Sequence, residues 1–302
     1  MLEEIDEYNS QDMVIASFRY IKDRDWKFLP FKNYIGGDFS VNKRFILVNW
    51  IYDVCRKYRA IPECFQETVN LFDRYNSNNL NSKNLENEYQ CIIICCYFIV
   101  SKNRETNPVS MEDLLYVCDD KYNMKDVNKL EKDILITLGY NINYSSILEF
   151  IRWLNPIYIN NDMVYVITRY LADVCYLSSI SLNYTASKMG SACVFLACLF
   201  NAEQNNNMKS IISSIYDKMD FRIEDYLEIV YKLLDFIAVL KKTAKHRSIY
   251  ERYSTSKNLT CSIFVDDNLD NIQNLLVKLF PEPQTIVEKT PLKEKPFGRI
   301  IN

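Results

Sequence analysis

Glycine and histidine are scarce in this sequence, and each scarcity excludes a class of site. Only five of the 302 residues are glycine, and none forms a GxGxxG or GxxxxGK[ST] loop, so nucleotide-phosphate cradles of those types are absent. The single histidine, His246, lies in a basic run without a nucleophile pattern beside it. The ten cysteines include no Cys-x-x-Cys pair, and Cys91-x3-Cys95-Cys96 does not have the spacing of a zinc site. We therefore expect no catalytic group, no cofactor and no metal.

Excess charge and long apolar runs are also lacking. Lysine and arginine number 36 against 39 acidic residues, for a net charge of −3, whereas a dedicated nucleic-acid binder shows a strongly basic face. The longest apolar run, residues 91–100, is about half of the ~20 residues that a spanning helix needs. The first residues are acidic and do not have the pattern of a signal peptide. We expect a protein of the nucleus or cytoplasm, with reduced cysteines, that binds neither nucleic acid nor membrane.

Helical periodicity is what the sequence does contain. Apolar residues recur at spacings of three and four, and no run alternates with period two, so the chain is predicted to be all-α. Five helices, a connector at residues 139–145 and five more helices suggest an internal duplication of about 100 residues per copy. The predicted helices are 41–58, 62–76, 85–102, 110–118 and 124–138, then 146–154, 163–178, 184–200, 208–219 and 222–240. A last amphipathic helix is predicted at 268–280, followed from Pro281 by a mobile tail.

Residues 42–58, NKRFILVNWIYDVCRKY, are apolar on nearly every face, which predicts a central helix. The stretch resembles the signature helix of the cyclin box in A- and B-type cyclins, which reads roughly Met-Arg-Ala-Ile-Leu-Val-Asp-Trp-Leu. The residues in register with it are Arg44, Ile46, Leu47, Val48 and Trp50. The resemblance implies two tandem five-helix cyclin folds. The implied parts are an N-terminal helix and loop (1–40), an N-terminal cyclin box (41–138), a C-terminal cyclin fold (145–245) and a partly flexible C-terminal extension (246–302).

Lys102 and Glu131 gain a role from the same resemblance. By themselves they suggest a cation at a helix C-terminus and a surface charge. In the family, the matching lysine and glutamate bond main-chain groups of the C-helix region of a kinase. Asn103, Arg104 and Glu105 replace the family's Phe-Glu-Glu at the same predicted contact, which loses an aromatic ring and reverses a charge. The resemblance thus implies an activating regulatory subunit of a cyclin-dependent serine/threonine protein kinase.

A second set of residues matches the family's substrate-docking patch, which binds Arg-x-Leu segments. We call the following residues the docking patch: Ile46, Leu47, Trp50, Asp53 and Gln90. Lys43 replaces a methionine at its rim and disfavours basic ligands. Thr290 lies in a Thr-Pro-Leu-Lys segment that fits the substrate consensus of these kinases.

Two other functions stay open at this stage. A TFIIB-like transcription factor also has two such folds, but it would need a basic second fold and a zinc ribbon, which the sequence lacks. A non-activating adaptor that binds a kinase or substrate is compatible with the changes at Asn103 and Arg104.

Overall fold

The structure is a computed structural model that describes residue 13 and residues 16–30, 34–35, 39–79, 89–158, 161–202, 224–243, 245 and 247–280, with the backbone alone for 153–158 and 202. All regular secondary structure in these ranges is helical, which confirms the all-α prediction. The predicted helix at 208–219, the predicted tail, His246 and Thr290 lie outside the described residues. A search of the described helices finds none with the length and apolar character to cross a bilayer.

The observed helices follow the predicted order. They are α1 Val41–Lys57, α2 Pro62–Asn78, α3 Tyr89–Arg104, α4 Met111–Val117, α5 Met124–Thr137, α6 Ile147–Tyr158, α7 Asp162–Leu177, α8 Ala186–Ala202, α9 Glu224–Lys242, α10 Ser248–Tyr253 and α11 Cys261–Leu279. Residues 16–22 are helical too, and 3-10 helices occupy Asp25–Phe28, Ile180–Leu182 and Ser256–Asn258. Two predicted bounds were wrong: α6 continues to Tyr158 instead of ending at 154, and α11 begins at Cys261 instead of 268.

Local sequence explains where several helices begin. The Oγ atom of Ser110 accepts a hydrogen bond from the backbone N–H of Asp113 at 3.1 Å, which fits the Ser-x-x-Asp capping pattern at the start of α4. Ser40 and Asn123 cap α1 and α5 in the same way. These caps satisfy backbone donors that have no partner within the helix.

Helices α1, α4 and α5 end in the same type of turn, in which glycine is usually found but is scarce here. The second residue after each helix end is left-handed: φ is 56° at Arg59, 54° at Asp119 and 57° at Gly139. In each case the following residue donates its N–H to the carbonyl five positions earlier, at 2.8 to 3.0 Å. This is the Schellman turn, in which glycine is favoured because it has no Cβ. At this position two of the three turns therefore carry a side chain in a conformation that disfavours one, and the following residues Asp120 and Tyr140 also have positive φ.

Each half of the molecule is built around its third helix. In the first half α3 packs against α1, α2, α4 and α5, and in the second half α8 packs against α6, α7, α9 and α11. Residues 91–97 of α3 and 192–200 of α8 are all buried. At Gly190 a Cβ atom would lie 3.4 Å from the Cβ of Phe150, so the glycine allows α6 to approach α8 closely. All ten cysteines are buried, in keeping with their apolar setting.

The two halves meet along α2, which is buried on both faces. One face is apolar, and the opposite face packs against α6 and α7 of the second half. The buried residues of that second face are polar and helically spaced: Glu63, Gln66, Glu67, Asn70, Asp73 and Arg74. After the second half, α10 returns to contact α1. Polar groups at this junction need internal partners, and those partners determine where several predicted site residues point.

Candidate functional site

Lys102 and Glu131 lie side by side on neighbouring helices. Lys102 is in the last turn of α3, and Glu131 is in α5, which packs beside α3. The Lys102 ammonium forms an ion pair with Glu131 Oε1 and lies 3.9 Å from the centroid of the Phe98 ring. The side chain of Lys102 is 39% exposed and that of Glu131 is 17% exposed. The pair is therefore formed within the chain and faces solvent on one side.

This ion pair has hydrogen-bonding capacity beyond its own contact. An ammonium carries three donors and a carboxylate accepts at both oxygens, while the shared bond uses one donor and Oε1. Since the two side chains hold each other, part of their rotational freedom is lost before any partner binds. The pair can thus donate to carbonyls and accept from amides of another chain, whatever the side chains of that chain are.

Exposed apolar residues at the end of α5 were missed by the sequence analysis. The side chain of Ile136 is 65% exposed and that of Tyr140 is 67% exposed. Leu135, one turn after Glu131 on the same helix face, is partly buried. Ile136 falls outside the apolar stripe of its helix, and that off-stripe position is the signal that could have identified it. At the end of the helix that carries Glu131, these side chains therefore offer apolar surface that a partner protein could contact.

Asn103 and Glu105, which follow the lysine on either side of Arg104, make contacts within the chain. The amide of Asn103 donates to Asn143 Oδ1 at 3.3 Å, which joins the end of α3 to the connector between the halves. Glu105 Oε1 accepts from the N–H of Ile61 at 3.0 Å, at the start of α2. Their predicted contact with a kinase stays a prediction, and the structure gives both side chains an internal role.

Arg104 connects three segments across the junction. Its Nε atom donates to Glu67 Oε2 at 2.8 Å, and Nη2 lies 2.8 Å from Glu67 Oε1. Nη2 also lies 2.9 Å from Glu149 Oε1 in α6 and donates to the carbonyl of Tyr144 at 3.2 Å. The expectation that Arg104 presents a reversed charge to a kinase is not supported by this geometry, because its guanidinium points into the junction.

Arg104 belongs to a group of charges that we call the α2–α6 cluster: Glu63, Glu67, Arg104, Glu149 and Arg152. Burial raises the pKa of Glu67 to about 7; Arg104 acts in the opposite direction, and Glu149 and Glu63 add to the increase. Glu63, whose side chain is 3% exposed, pairs with Arg152 of α6. The Glu63–Arg152 pair thus connects α2 directly with the second half, and Arg104 of α3 bridges Glu67 of α2 and Glu149 of α6.

Arg44, the arginine of the signature helix, is a structural residue of the same junction. It is 1% exposed and forms a two-bond ion pair with Asp73 of α2 at 2.9 and 2.7 Å. Its Nη1 donates to the carbonyls of Tyr176 and Ser178 at the end of α7, at 3.1 and 2.7 Å. A cation at a helix C-terminus is favourable, so Arg44 links α1, α2 and α7.

The docking patch lies mainly on α1. Ile46, Leu47 and Trp50 are each partly buried, so this side of α1 is less enclosed than the predicted central helix implied. The side chain of Asp53 is 51% exposed. Gln90 is in the first turn of α3, which contacts α1.

A residue from the far end of the chain occupies part of this patch. Ser248, at the start of α10, donates its hydroxyl to Asp53 Oδ2 at 2.5 Å. Asn49 donates to the same hydroxyl at 3.0 Å, and Arg56 lies 3.9 Å from Asp53 Oδ1. The acid of the docking patch is therefore already engaged through Oδ2, and a separation of 195 residues left no local signal of this hydrogen bond.

Family comparisons cover most of the chain. A family model described as "Cyclin, N-terminal domain" matches residues 16–143, and one described as "Cyclin, C-terminal domain" matches residues 146–267. A solved structure of a viral cyclin from herpesvirus saimiri superposes with a TM-score of 0.60 at 20% identity, over 73% of this chain and 96% of that one. These findings confirm the prediction of two tandem folds of this type.

Several similar curated proteins have names that describe them as G2/mitotic-specific cyclins. The G2/mitotic-specific cyclin cdc13 of Schizosaccharomyces pombe is 24% identical over 258 residues, which are 85% of this chain and 51% of the relative. The G2/mitotic-specific cyclin-B of Emericella nidulans is 25% identical over 83% of this chain and 51% of the relative. The G2/mitotic-specific cyclin C13-1 of Daucus carota is 27% identical over 82% and 77%. The chain thus spans about half the length of the first two relatives.

Proposed function

Because the chain belongs to the cyclin family, we propose that it is the activating regulatory subunit of a cyclin-dependent serine/threonine protein kinase in cell-cycle control. Both family models and the mitotic relatives support this proposal. The observation that carries it is the partly exposed ion pair of Lys102 and Glu131. In this role the chain contributes binding energy to the kinase and no catalytic group.

The proposed mechanism is a shift of the kinase between two conformations. The ends of α3 and α5 pack against the C-helix region of the kinase, where Lys102 donates to carbonyls and Glu131 accepts from amides. Ile136 and Tyr140 lose their exposure to water in the same contact. Because the chain binds the kinase only when its C-helix is in the inward position, binding stabilises that position. The kinase then forms its own lysine–glutamate ion pair and orders its activation loop, as catalysis requires.

Binding and kinase assays with purified proteins test this proposal. The chain is mixed with cyclin-dependent kinases of the A- and B-type partner class, and both affinity and phosphorylation of a histone-type peptide are measured. A hydrogen bond to a charged group contributes about 1.5–3 kcal/mol, so Lys102→Ala should weaken kinase binding by roughly 10- to 100-fold. Glu131→Ala should act in the same direction.

A distant lysine serves as the control for these variants. Lys257 is exposed in the 3-10 helix Ser256–Asn258, and Lys257→Ala should leave affinity unchanged. Failure of the wild-type chain to bind or stimulate any kinase in the panel would contradict the proposal. Equal losses from Lys102→Ala and Lys257→Ala would show that the ion pair is not the contact.

We further propose that the docking patch binds Arg-x-Leu segments of substrates or inhibitors. The partly buried apolar residues Ile46, Leu47 and Trp50 and the half-exposed Asp53 support this. The engagement of Asp53 by Ser248 and the cation of Lys43 reduce the attraction for the arginine. In the kinase assay a substrate carrying the segment should show a lower KM than the same substrate without it, and equal KM values would count against docking.

The alternatives receive less support. The match of both halves to cyclin models does not favour a TFIIB-like factor. A non-activating adaptor would form the complex without stimulating phosphorylation, an outcome that the same assay reports. We also propose a location in the nucleus or cytoplasm, which the ten buried thiols support.

A further inference from the structure

We propose that Arg104 is a positioning residue for the kinase contact: by binding α2 and α6 at once, it fixes the carboxyl end of α3 and with it Lys102. Its effect on kinase binding rests on the proposed function. The link between α3 and the junction is a property of the folded chain and can be measured without a kinase.

Lys102 and Arg104 point to different sides of the same helical turn. Residues two positions apart in an α-helix, such as these, are about 200° apart around its axis. Lys102 reaches Glu131 of α5 and solvent, whereas Arg104 reaches Glu67 of α2 and Glu149 of α6. The last turn of α3 is therefore held from the side opposite to the proposed kinase contact.

The geometry of Arg104 is specific enough to fix the helix end. Its Nε atom donates to Glu67 Oε2 at 2.8 Å and its Nη2 atom lies 2.8 Å from Glu67 Oε1, so two contacts with one carboxylate orient the guanidinium. Its Nη2 atom adds Glu149 at 2.9 Å and the carbonyl of Tyr144 at 3.2 Å. Glu67 has a side chain that is 1% exposed, so Arg104 is also the cation that compensates a buried carboxylate. Lysine, a point charge without this fork, cannot reproduce the set of contacts.

The end of α3 needs such support. The last carbonyls of a helix have no partner within it, and helix ends open more readily than their centres. Without Arg104, the turn that carries Lys102 keeps the side-chain bonds of Ser101, Asn103 and Glu105 and the Lys102–Glu131 pair itself. If this turn is less ordered, Lys102 and Glu131 adopt several arrangements. A kinase must then select one of them on binding, which costs entropy and weakens the affinity.

A charge-free replacement separates positioning from stability. Arg104→Met alone would leave Glu67 buried and unpaired, which destabilises the whole fold. The double variant Arg104→Met/Glu67→Leu removes both charges, and such apolar replacements of similar volume are often neutral or stabilising. The matched control is Arg152→Met/Glu63→Leu, which removes the ion pair between α2 and α6 and leaves α3 untouched.

Two measurements are made on each variant whose thermal midpoint stays near that of the wild type. Amide hydrogen exchange of residues 101–105 should become about tenfold faster in Arg104→Met/Glu67→Leu, and the kinase Kd should rise by about tenfold. Neither quantity should change in Arg152→Met/Glu63→Leu. Arg104→Lys, which keeps the charge near Glu67, should give intermediate exchange and serves as the readout if the double variant is poorly folded.

Several results would overturn the proposal. Wild-type exchange at residues 101–105 and a wild-type Kd in a stable Arg104→Met/Glu67→Leu variant would show that Arg104 is only structural. The same losses in Arg152→Met/Glu63→Leu would assign the effect to the junction as a whole. If the wild-type chain binds no kinase, the proposed function fails, whereas the exchange comparison still decides whether Arg104 fixes the end of α3.

Discussion

Replacing Arg44 with methionine should remove a large part of the stability of this protein. The side chain is 1% exposed and makes five hydrogen bonds, to Asp73 twice, to the carbonyls of Tyr176 and Ser178, and to the hydroxyl of Ser181. Methionine fills a similar volume and donates to none of them. The change therefore isolates the charge and its bonds with little change in packing.

The expected loss follows from what Arg44→Met leaves behind. Removing one member of a buried ion pair costs about 3–5 kcal/mol, because the other charge remains buried without compensation. Here the remaining carboxylate is that of Asp73, and the carbonyls at the end of α7 also lose their cation. Since total stabilities are about 5–15 kcal/mol, this loss is between about a fifth of the margin and all of it.

Urea denaturation followed by far-ultraviolet circular dichroism measures this loss. Arg56→Met is the control, because Arg56 lies on the same helix with a 44% exposed side chain and only a 3.9 Å contact to Asp53; its effect should stay within about 0.5 kcal/mol. Arg44→Met/Asp73→Leu should lose less than the sum of the two single variants, since it leaves no unpaired charge. A loss below about 1 kcal/mol for Arg44→Met, or simple additivity in the double variant, would refute the reasoning.

Two further predictions concern helix ends and pH. Arg59→Gly should raise the unfolding free energy by about 0.5–1 kcal/mol and Asp119→Gly by less, because aspartate tolerates a positive φ better. Gly139→Ala should lower it by about 1 kcal/mol although nothing lies within 4 Å of the added Cβ; thermal melts check all three, and no gain from Arg59→Gly would contradict the strain argument. Burial is the main reason that the pKa of Glu67 rises from 4.5 to about 7 in the folded state. Between those pH values the folded chain holds a proton that the unfolded chain has released. The free energy of unfolding therefore falls as pH rises through this range. Glu67→Gln should flatten that slope by up to about 1.4 kcal/mol per pH unit, measured by urea denaturation from pH 5 to 8, and parallel curves for the two proteins would contradict the assignment.

The helices could be predicted well because each is amphipathic or uniformly apolar over its own length. The first residues of α1, α2 and α5 are those that the sequence predicted, and the cap at Ser110 confirms a rule that needs only four residues. The end of α6 could not be placed in the same way. Its last turn continues through Pro156, where sequence rules favour a helix end.

The polar face of α2 could not be predicted from its own sequence. Charged residues at helical spacing opposite an apolar stripe normally face water. Here Glu63, Glu67 and Asp73 are buried, because Arg152, Arg104 and Arg44 reach them from other helices. Hydropathy does not distinguish a solvent-facing polar stripe from one that joins two domains, since the difference lies in the long-range partners.

The end of α3 shows why site residues are harder to predict than helices. Lys102 could be paired with Glu131 because the spacing of a known family supplied the partner, and the structure brings the two together. Arg104 departs from that family's pattern, so the alignment supplied no partner, and the residue suggested a reversed charge at the kinase contact. Glu67 and Glu149 show instead that the charge is compensated inside the chain. A charge reversal on a binding helix is therefore evidence about an external partner only after the opposite face of the same helical turn has been checked for internal ones.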